Sequence, residues 1–169
     1  MVPKLSFATC AALALLIIGT DQVTKWLAVG TFDYGVPMPL CPGLNLTLLH
    51  NTGAAFSFLA SAGGWQRWFF VALATAASGY LVYLLRLPTP SSASYRLGLA
   101  FVLGGALGNL IDRLWLGYVV DFIQVYYRQW YWPAFNVADS AITVGAVLLL
   151  LSVFSKERLL AAQDVDRSV

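Results

Sequence analysis

Charge is scarce in this chain. Asp, Glu, Lys and Arg make up 11% of its 169 residues, hydrophobic types 59%, and the mean hydropathy is +0.73. Soluble domains carry about 25% charged residues, so a soluble globule is excluded and a membrane protein is expected. The net charge is only +2 and there is no Lys/Arg run, so no nucleic-acid partner is expected. There is one histidine, His50, on which any Ser/His/Asp or Cys/His catalysis would have to rest, and a lone His ahead of a turn is more often structural. The two cysteines, Cys10 and Cys41, show no CxxC or Cys/His spacing, so neither a disulfide nor a zinc site is expected. The first apolar run, from Leu5 to Thr20 and beyond, lacks a small-residue cleavage site at its end and reads as a retained span rather than a removed leader. No internal repeat and no second domain is visible, so residues 1–169 are expected to form a single polytopic membrane domain.

Four stretches approach the roughly 20 apolar residues that cross a bilayer: about 5–29, 66–86, 95–115 and 135–155. An even number of spans puts both termini on one side. Lys4, Arg86, Arg96, Lys156, Arg158 and Arg167 fall on that side, and Lys25, Arg67, Arg113 and Arg128 on the other, which favours cytoplasmic termini. Asp21, Asp33, Asp112, Asp121 and Asp139 all fall at outer span ends or in outer loops, so any chemistry is expected at the outer face.

The outer segments, 30–65 and 116–134, are not plain connectors. In "GLNLTLLHNTGAAFSFLA" (43–60), Leu44, Leu46 and Leu48 alternate with Asn45 and Thr47, which predicts a half-buried strand, and "NTG" at 51–53 predicts a turn folding it back on "AAFSFL". A small sheet on the membrane surface follows. Residues 116–134 are rich in Tyr and Trp, as in an interfacial aromatic belt. "LPTPSSAS" (87–94) reads as a cytoplasmic turn and the tail from Lys156 as a frayed polar end.

On the fourth span Asn136, Asp139 and Thr143 share a face; on the third, Gly105, Asn109 and Arg113 do, beside Gly104, Gly108 and Asp112. The glycines allow close helix packing in lipid. Asp21 with Lys25 and Asp112 with Arg113 read as candidate interfacial ion pairs, but Asp139 and Asp121 have no such neighbour. Carboxylates in an apolar stretch are costly and need a reason. Two brought together in a dry site share one proton, the arrangement with which an aspartic protease activates water. Magnesium or calcium held by Asp21, Asp112, Asp121 and Asp139 is the chemical alternative, although no known metal loop is present.

"DQVTK" (21–25), "NTGAAFSF" (51–58), "GGALGNLIDR" (104–113), "VVDF" (119–122) and "FNVADSAI" (135–142), in this order, closely resemble the lipoprotein signal peptidase family, the signal peptidase II of bacteria. The match covers roughly residues 15–150. The resemblance implies an all-α membrane protein of four transmembrane helices, with a small β cradle and an amphipathic segment on the outer face. It also implies an aspartic endopeptidase of the inner membrane that removes the signal peptide from diacylglyceryl-modified prolipoproteins, cutting before the lipidated cysteine. Asp121 and Asp139 correspond to the catalytic pair, and Asp21, Asn51, Gly53, Asn109, Arg113 and Asn136 to substrate-binding or site-supporting residues. Neither a cofactor nor a metal is implied. Membrane lipids are the surroundings, and the chain is expected to act as a monomer. Among the supporting residues, Asn51 is expected to serve substrate and Arg113 mainly the geometry of the site. The alternative is a non-enzymatic proton or ion carrier, which would be expected to need acids at mid-depth or on both sides.

Overall fold

The computed structural model describes residues 5–53, 63–88 and 92–167. Four helices are long and apolar enough to cross a membrane: α1 (Phe7–Thr31), α2 (Trp65–Arg86), α3 (Ala93–Trp115) and α4 (Val137–Arg167). The starts of α1 and α3 are set by serine caps, Ser6 Oγ accepting from the Thr9 amide and Ser92 Oγ from that of Tyr95. The helices match the predicted spans to within a few residues, except that α4 continues to Arg167, where the sequence suggested a frayed tail from Lys156.

Helix α3 is the hub. Of its spanning stretch 56% is buried, against 22% for each of the other three. Its glycines explain why. A Cβ on Gly104 would stand 2.8 Å from Ile17 Cβ of α1, one on Gly105 would collide with the Ala138 carbonyl of α4, and one on Gly98 would stand 2.9 Å from the Gly145 carbonyl. Small residues thus bring two neighbours to backbone contact where lipid supplies no hydrophobic drive. At the end of the bundle where α1 begins, Cys10, Ala14, Leu81, Leu85, Leu99, Ala100 and Leu103 form a packed cluster joining α1, α2 and α3. Large apolar residues such as Leu15, Trp26, Leu73 and Leu150 point outward, the distribution expected where lipid is the solvent.

A small antiparallel sheet covers the other end, in the order β1 (Met38–Cys41), β2 (Leu44–Asn51), β3 (Val119–Tyr127), β4 (Trp130–Tyr131). The strand predicted around Leu44–Leu48 is β2. Its predicted return over "AAFSFL" lies outside the described residues, as does any amphipathic segment there; its partners are β1 and β3. The segment 116–134, expected as an aromatic belt, also supplies two strands that were not expected. "VVDFIQVYY" is built of β-branched and aromatic residues that suit a pleated surface, and Tyr127, Trp130, Tyr131 and Trp132 remain exposed along its outer part.

Candidate active site

Three local devices bring the polar residues together. The first is the turn out of α3. Gly117, with φ 88°, follows the C-cap Leu116, and both amides return to the Asp112 carbonyl at 3.3 and 2.7 Å. This left-handed glycine ends the helix and sends the chain directly into β3. Asp112 then accepts the Val120 amide through Oδ2 at 3.1 Å, which sets Asp121 over the sheet-covered end of the bundle.

The second is a bulge in β2. Leu46 pairs with Ile123, but Leu49 pairs with Asp121, so Thr47 and Leu48 oppose the single residue Phe122. Without the extra residue Asn51 would lie on the opposite face of the sheet from Asp121, because side chains alternate. With it, Asn51 is diagonal to Asp121 on one face, and Nδ2 donates to Asp121 Oδ2 at 3.1 Å. The amide is fixed at its other end by the Gly53 N–H, which donates to Asn51 Oδ1 at 3.0 Å. His50 consequently points the other way, stacked on Tyr118 with ring centroids 4.0 Å apart and with the tilted Tyr34 ring 4.8 Å away, which suits the structural reading of that histidine.

The third is the start of α4. Phe135 exchanges backbone hydrogen bonds with Ile123, pinning the helix entry to β3. Asn136 then acts as cap: its Oδ1 accepts the Asp139 amide at 2.9 Å, and Asp139 Oδ2 accepts the Asn136 amide at 3.3 Å, a reciprocal capping box. Asp21 of α1, wholly buried, accepts the Ala138 amide at 2.9 Å. Carboxylates are favoured at a helix N-terminus, so Asp139 stands where the α4 dipole holds negative charge best.

Asp121 and Asp139 are each held by side-chain amides. Asn136 Nδ2 donates to Asp121 Oδ1 at 2.7 Å and Asn109 Nδ2 to Asp139 Oδ1 at 2.8 Å. Asp139 opens onto a cavity of about 760 Å³ lined by α2, α3 and α4, while Asp121 behind it is 2% exposed. Burial, and next the charge of Asp139, raise the Asp121 carboxyl to a pKa of about 7, against the pull of its two asparagine donors and of Lys25. The cavity wall is mostly apolar, with Phe70, Leu73, Ala74 and Ala77 from α2 and Ala106 from α3; Asn51, Asn109, Arg113 and Asp139 give it a polar side, with Ser140 and Thr143 following along α4. It can take an apolar chain with a polar group presented to the carboxyl pair.

All eight residues singled out in the sequence meet here or directly behind. Arg113 bridges α3 to the turn after β2, Nη2 donating to the Gly53 carbonyl at 2.8 Å, with its guanidinium 5.0 Å from the Phe70 ring centroid. Its own carbonyl is tied to α2 by Arg67 Nε at 2.8 Å. Asn51 was expected to face substrate. It does line the cavity, but both ends of its amide are engaged with Asp121 and Gly53, so it is as much a geometric residue as Arg113.

One ion pair differs from expectation. Asp112 does not pair with Arg113; it pairs with Lys25, whose Nζ lies 2.9 Å from Asp112 Oδ2 and 2.8 Å from Asp21 Oδ2. The side chains at 112 and 113 leave the helix about 100° apart, which aims Asp112 at α1 and Arg113 at the cavity. Lys25 also donates to Asn109 Oδ1 at 3.0 Å. Sequence reasoning left Lys25 out of the site, although its i, i+4 spacing from Asp21 and its place on an apolar span were the available signal. Two of the four carboxylates considered as metal ligands are thus already bound to a cation of the chain itself.

Fold and site together describe a polytopic membrane enzyme with a carboxyl pair beside a mostly apolar cavity between its helices. The family model for signal peptidase (SPase) II matches residues 13–155. Similar proteins include the lipoprotein signal peptidase of Acinetobacter baumannii (strain ATCC 17978), 56% identical over 147 residues, which are 86% of this chain and 83% of that one. That of Burkholderia mallei (strain SAVP1) is 50% identical over 153 residues, 90% of this chain and 92% of its own length. A bacterial membrane enzyme structure solved at 2.3 Å superposes with a TM-score of 0.82 at 31% identity, covering 93% of this chain and 94% of the other. The chain belongs to the signal peptidase II family of bacterial aspartic proteases.

Proposed function

We propose that the chain is an endopeptidase of the bacterial inner membrane that removes the signal peptide from diacylglyceryl-modified prolipoproteins, cutting before the lipidated cysteine, with Asp121 and Asp139 as its catalytic pair. The observation that carries this reading is the pair itself: two carboxyls, each gripped by asparagine amides, on the polar side of a mostly apolar cavity. An extended segment next to a membrane-held acyl chain needs such a place, and the similar proteins from Acinetobacter and Burkholderia are named for this activity. In this reading both termini are cytoplasmic, the sheet lies on the outer face, and the chain works as a single domain and a monomer.

The chemistry follows from the two environments. Asp121, the buried partner with the raised pKa, holds the shared proton near neutrality, and Asp139, at the helix N-terminus and open to the cavity, is the carboxylate. Asp139 takes a proton from water as its oxygen attacks the scissile carbonyl, whose oxygen receives a hydrogen bond and then the proton from Asp121. When the tetrahedral intermediate collapses, the C–N bond breaks, the amine of the new N-terminal cysteine takes the proton held by Asp139, and Asp121 recovers its own from the gem-diol. The test is release of the signal peptide from a diacylglyceryl-modified prolipoprotein by purified protein. Asp121→Asn and Asp139→Asn should each fold and cleave at least about a hundredfold more slowly. Wild-type turnover in either would refute the assignment.

A further inference from the structure

We propose that Lys25 is a positioning residue for the reaction: by donating to Asn109 Oδ1 it fixes which way the Asn109 amide faces, so that the NH₂ group meets Asp139. The proposal rests on the aspartate reading above.

An ammonium has donors only, so the Asn109 atom 3.0 Å from Nζ must be oxygen, and the NH₂ group then points at Asp139 Oδ1, 2.8 Å away. Asn136 Nδ2 also approaches Asn109 Oδ1, at 3.2 Å, but it cannot hold the orientation alone. It faces three acceptors, Asp121 Oδ1 at 2.7 Å, the Val120 carbonyl at 3.2 Å and Asn109 Oδ1, with two hydrogens. Its contact with Asp121 is the shortest, which leaves Asn109 the weaker share. Lys25, 3% exposed, is itself immobilised by Asp21 and Asp112.

A turned Asn109 would present oxygen to Asp139. An ionised carboxylate is repelled there and a protonated one is welcomed, so the amide's orientation selects which carboxyl carries the shared proton. With Lys25 present, Asn109 donates to Asp139, which favours the ionised form there and leaves the shared proton to Asp121. The charged groups around this junction are Asp21 from α1, Asp112 and Arg113 from α3, Asp121 from β3 and Asp139 from α4. Lys25 is absent from the cavity wall, so its effect should reach substrate only through the carboxyl pair.

Lys25→Met alone leaves Asp21 and Asp112 buried without their cation and is expected to lower folded yield. Lys25→Met combined with Asp112→Asn removes one charge of each sign and is the decisive variant, read against Asp112→Asn alone, because Asp112 Oδ2 also accepts the Val120 amide beside Asp121. Per folded molecule, the double variant should lose about tenfold or more in kcat, with KM within about threefold of wild type and a displaced kcat–pH profile. A double variant no slower than Asp112→Asn overturns the proposal. If the double variant regains wild-type kcat and an unshifted profile, Lys25 only neutralises Asp112 and the proposal is overturned. It is equally overturned if neither variant yields monodisperse folded protein, since Lys25 is then required for the fold itself. Asp121→Asn in the same assay separates this from the aspartate reading: turnover in that variant sinks the pair, whereas an inactive Asp121→Asn beside a fully active double variant sinks only the role of Lys25.

Discussion

Gly105→Ala probes how closely the α3–α4 contact sets the site. The added methyl would collide with the Ala138 carbonyl and stand 2.7 Å from Ile142 Cγ1, where ordinary contact begins at 3.4 Å. The obstructing carbonyl belongs to the α4 backbone one residue before Asp139, so a rotamer change cannot relieve it. The start of α4 must retreat by roughly 1 Å, enough to stretch the 2.8 Å bond between Asn109 and Asp139 past hydrogen-bonding range. A misplacement of that size costs on the order of a hundredfold in rate, and overpacking costs about 1–3 kcal/mol, offset by roughly 1 kcal/mol of helix propensity gained over glycine. Gly145→Ala is the control. Its methyl would meet the Gly98 carbonyl at 2.8 Å and the Val102 nitrogen at 2.9 Å, crowding the same two helices about 9 Å further along α4. Both variants should lower thermal stability in detergent by similar amounts. In the prolipoprotein cleavage assay Gly105→Ala should lose about a hundredfold and Gly145→Ala less than about tenfold. Equal activity losses in the two, or a Gly105→Ala enzyme within twofold of wild type, would refute the claim that this contact places Asp139.

Because Asp121 must keep its proton, kcat should fall as pH rises through about 7, read from a pH–rate profile. The same raised pKa means that between about pH 4 and 7 the native state retains a proton the unfolded chain has lost, so the Asp121-dependent stability falls as pH rises through that window and levels off above it. The difference in melting temperature between wild type and Asp121→Asn measures it. EDTA should leave cleavage intact, since Lys25 already binds Asp21 and Asp112; loss of activity restored by magnesium would favour a carboxylate-bound metal. Arg113→Lys should lose activity and thermal stability together, because an ammonium cannot reproduce the guanidinium's contact with the Gly53 carbonyl while packing over Phe70. Asn51→Ala should lower kcat by about tenfold or more through its lost bond to Asp121; a variant affected only in KM would show that Asn51 acts on substrate instead.

Whether a feature could be read from the sequence depended on how local its cause is. Span length and apolar content are properties of contiguous residues, and the four helices fall where hydropathy puts them. Asn109 and Arg113 share a cavity because four-residue spacing on one helix guarantees a shared face. Asn136 is a different case. Helical spacing grouped it with Asp139 and Thr143, yet it is the cap that precedes the helix, and it reaches Asp121 only because Phe135 is paired with β3. Strand β3 itself was hidden by the aromatic content of 116–134, which suits a membrane interface and a sheet equally well.

The partner of Asp112 shows where one-dimensional reading fails most clearly. Arg113 is next to it in sequence and Lys25 is 87 positions away, yet adjacent residues on a helix diverge while α1 and α3 are drawn together by Gly104 and Gly108. A Cβ at Gly108 would stand 2.7 Å from Asp21 Oδ2, so the glycine that packs the helices also leaves room for the carboxylate that holds Lys25. Packing and polar chemistry are therefore one device here. The close approach of α1, α3 and α4 lets Asp21 cap α4, lets Lys25 grip Asn109, and through these holds Asp139 in place, so a residue that looks purely structural in the sequence sets the geometry of the site.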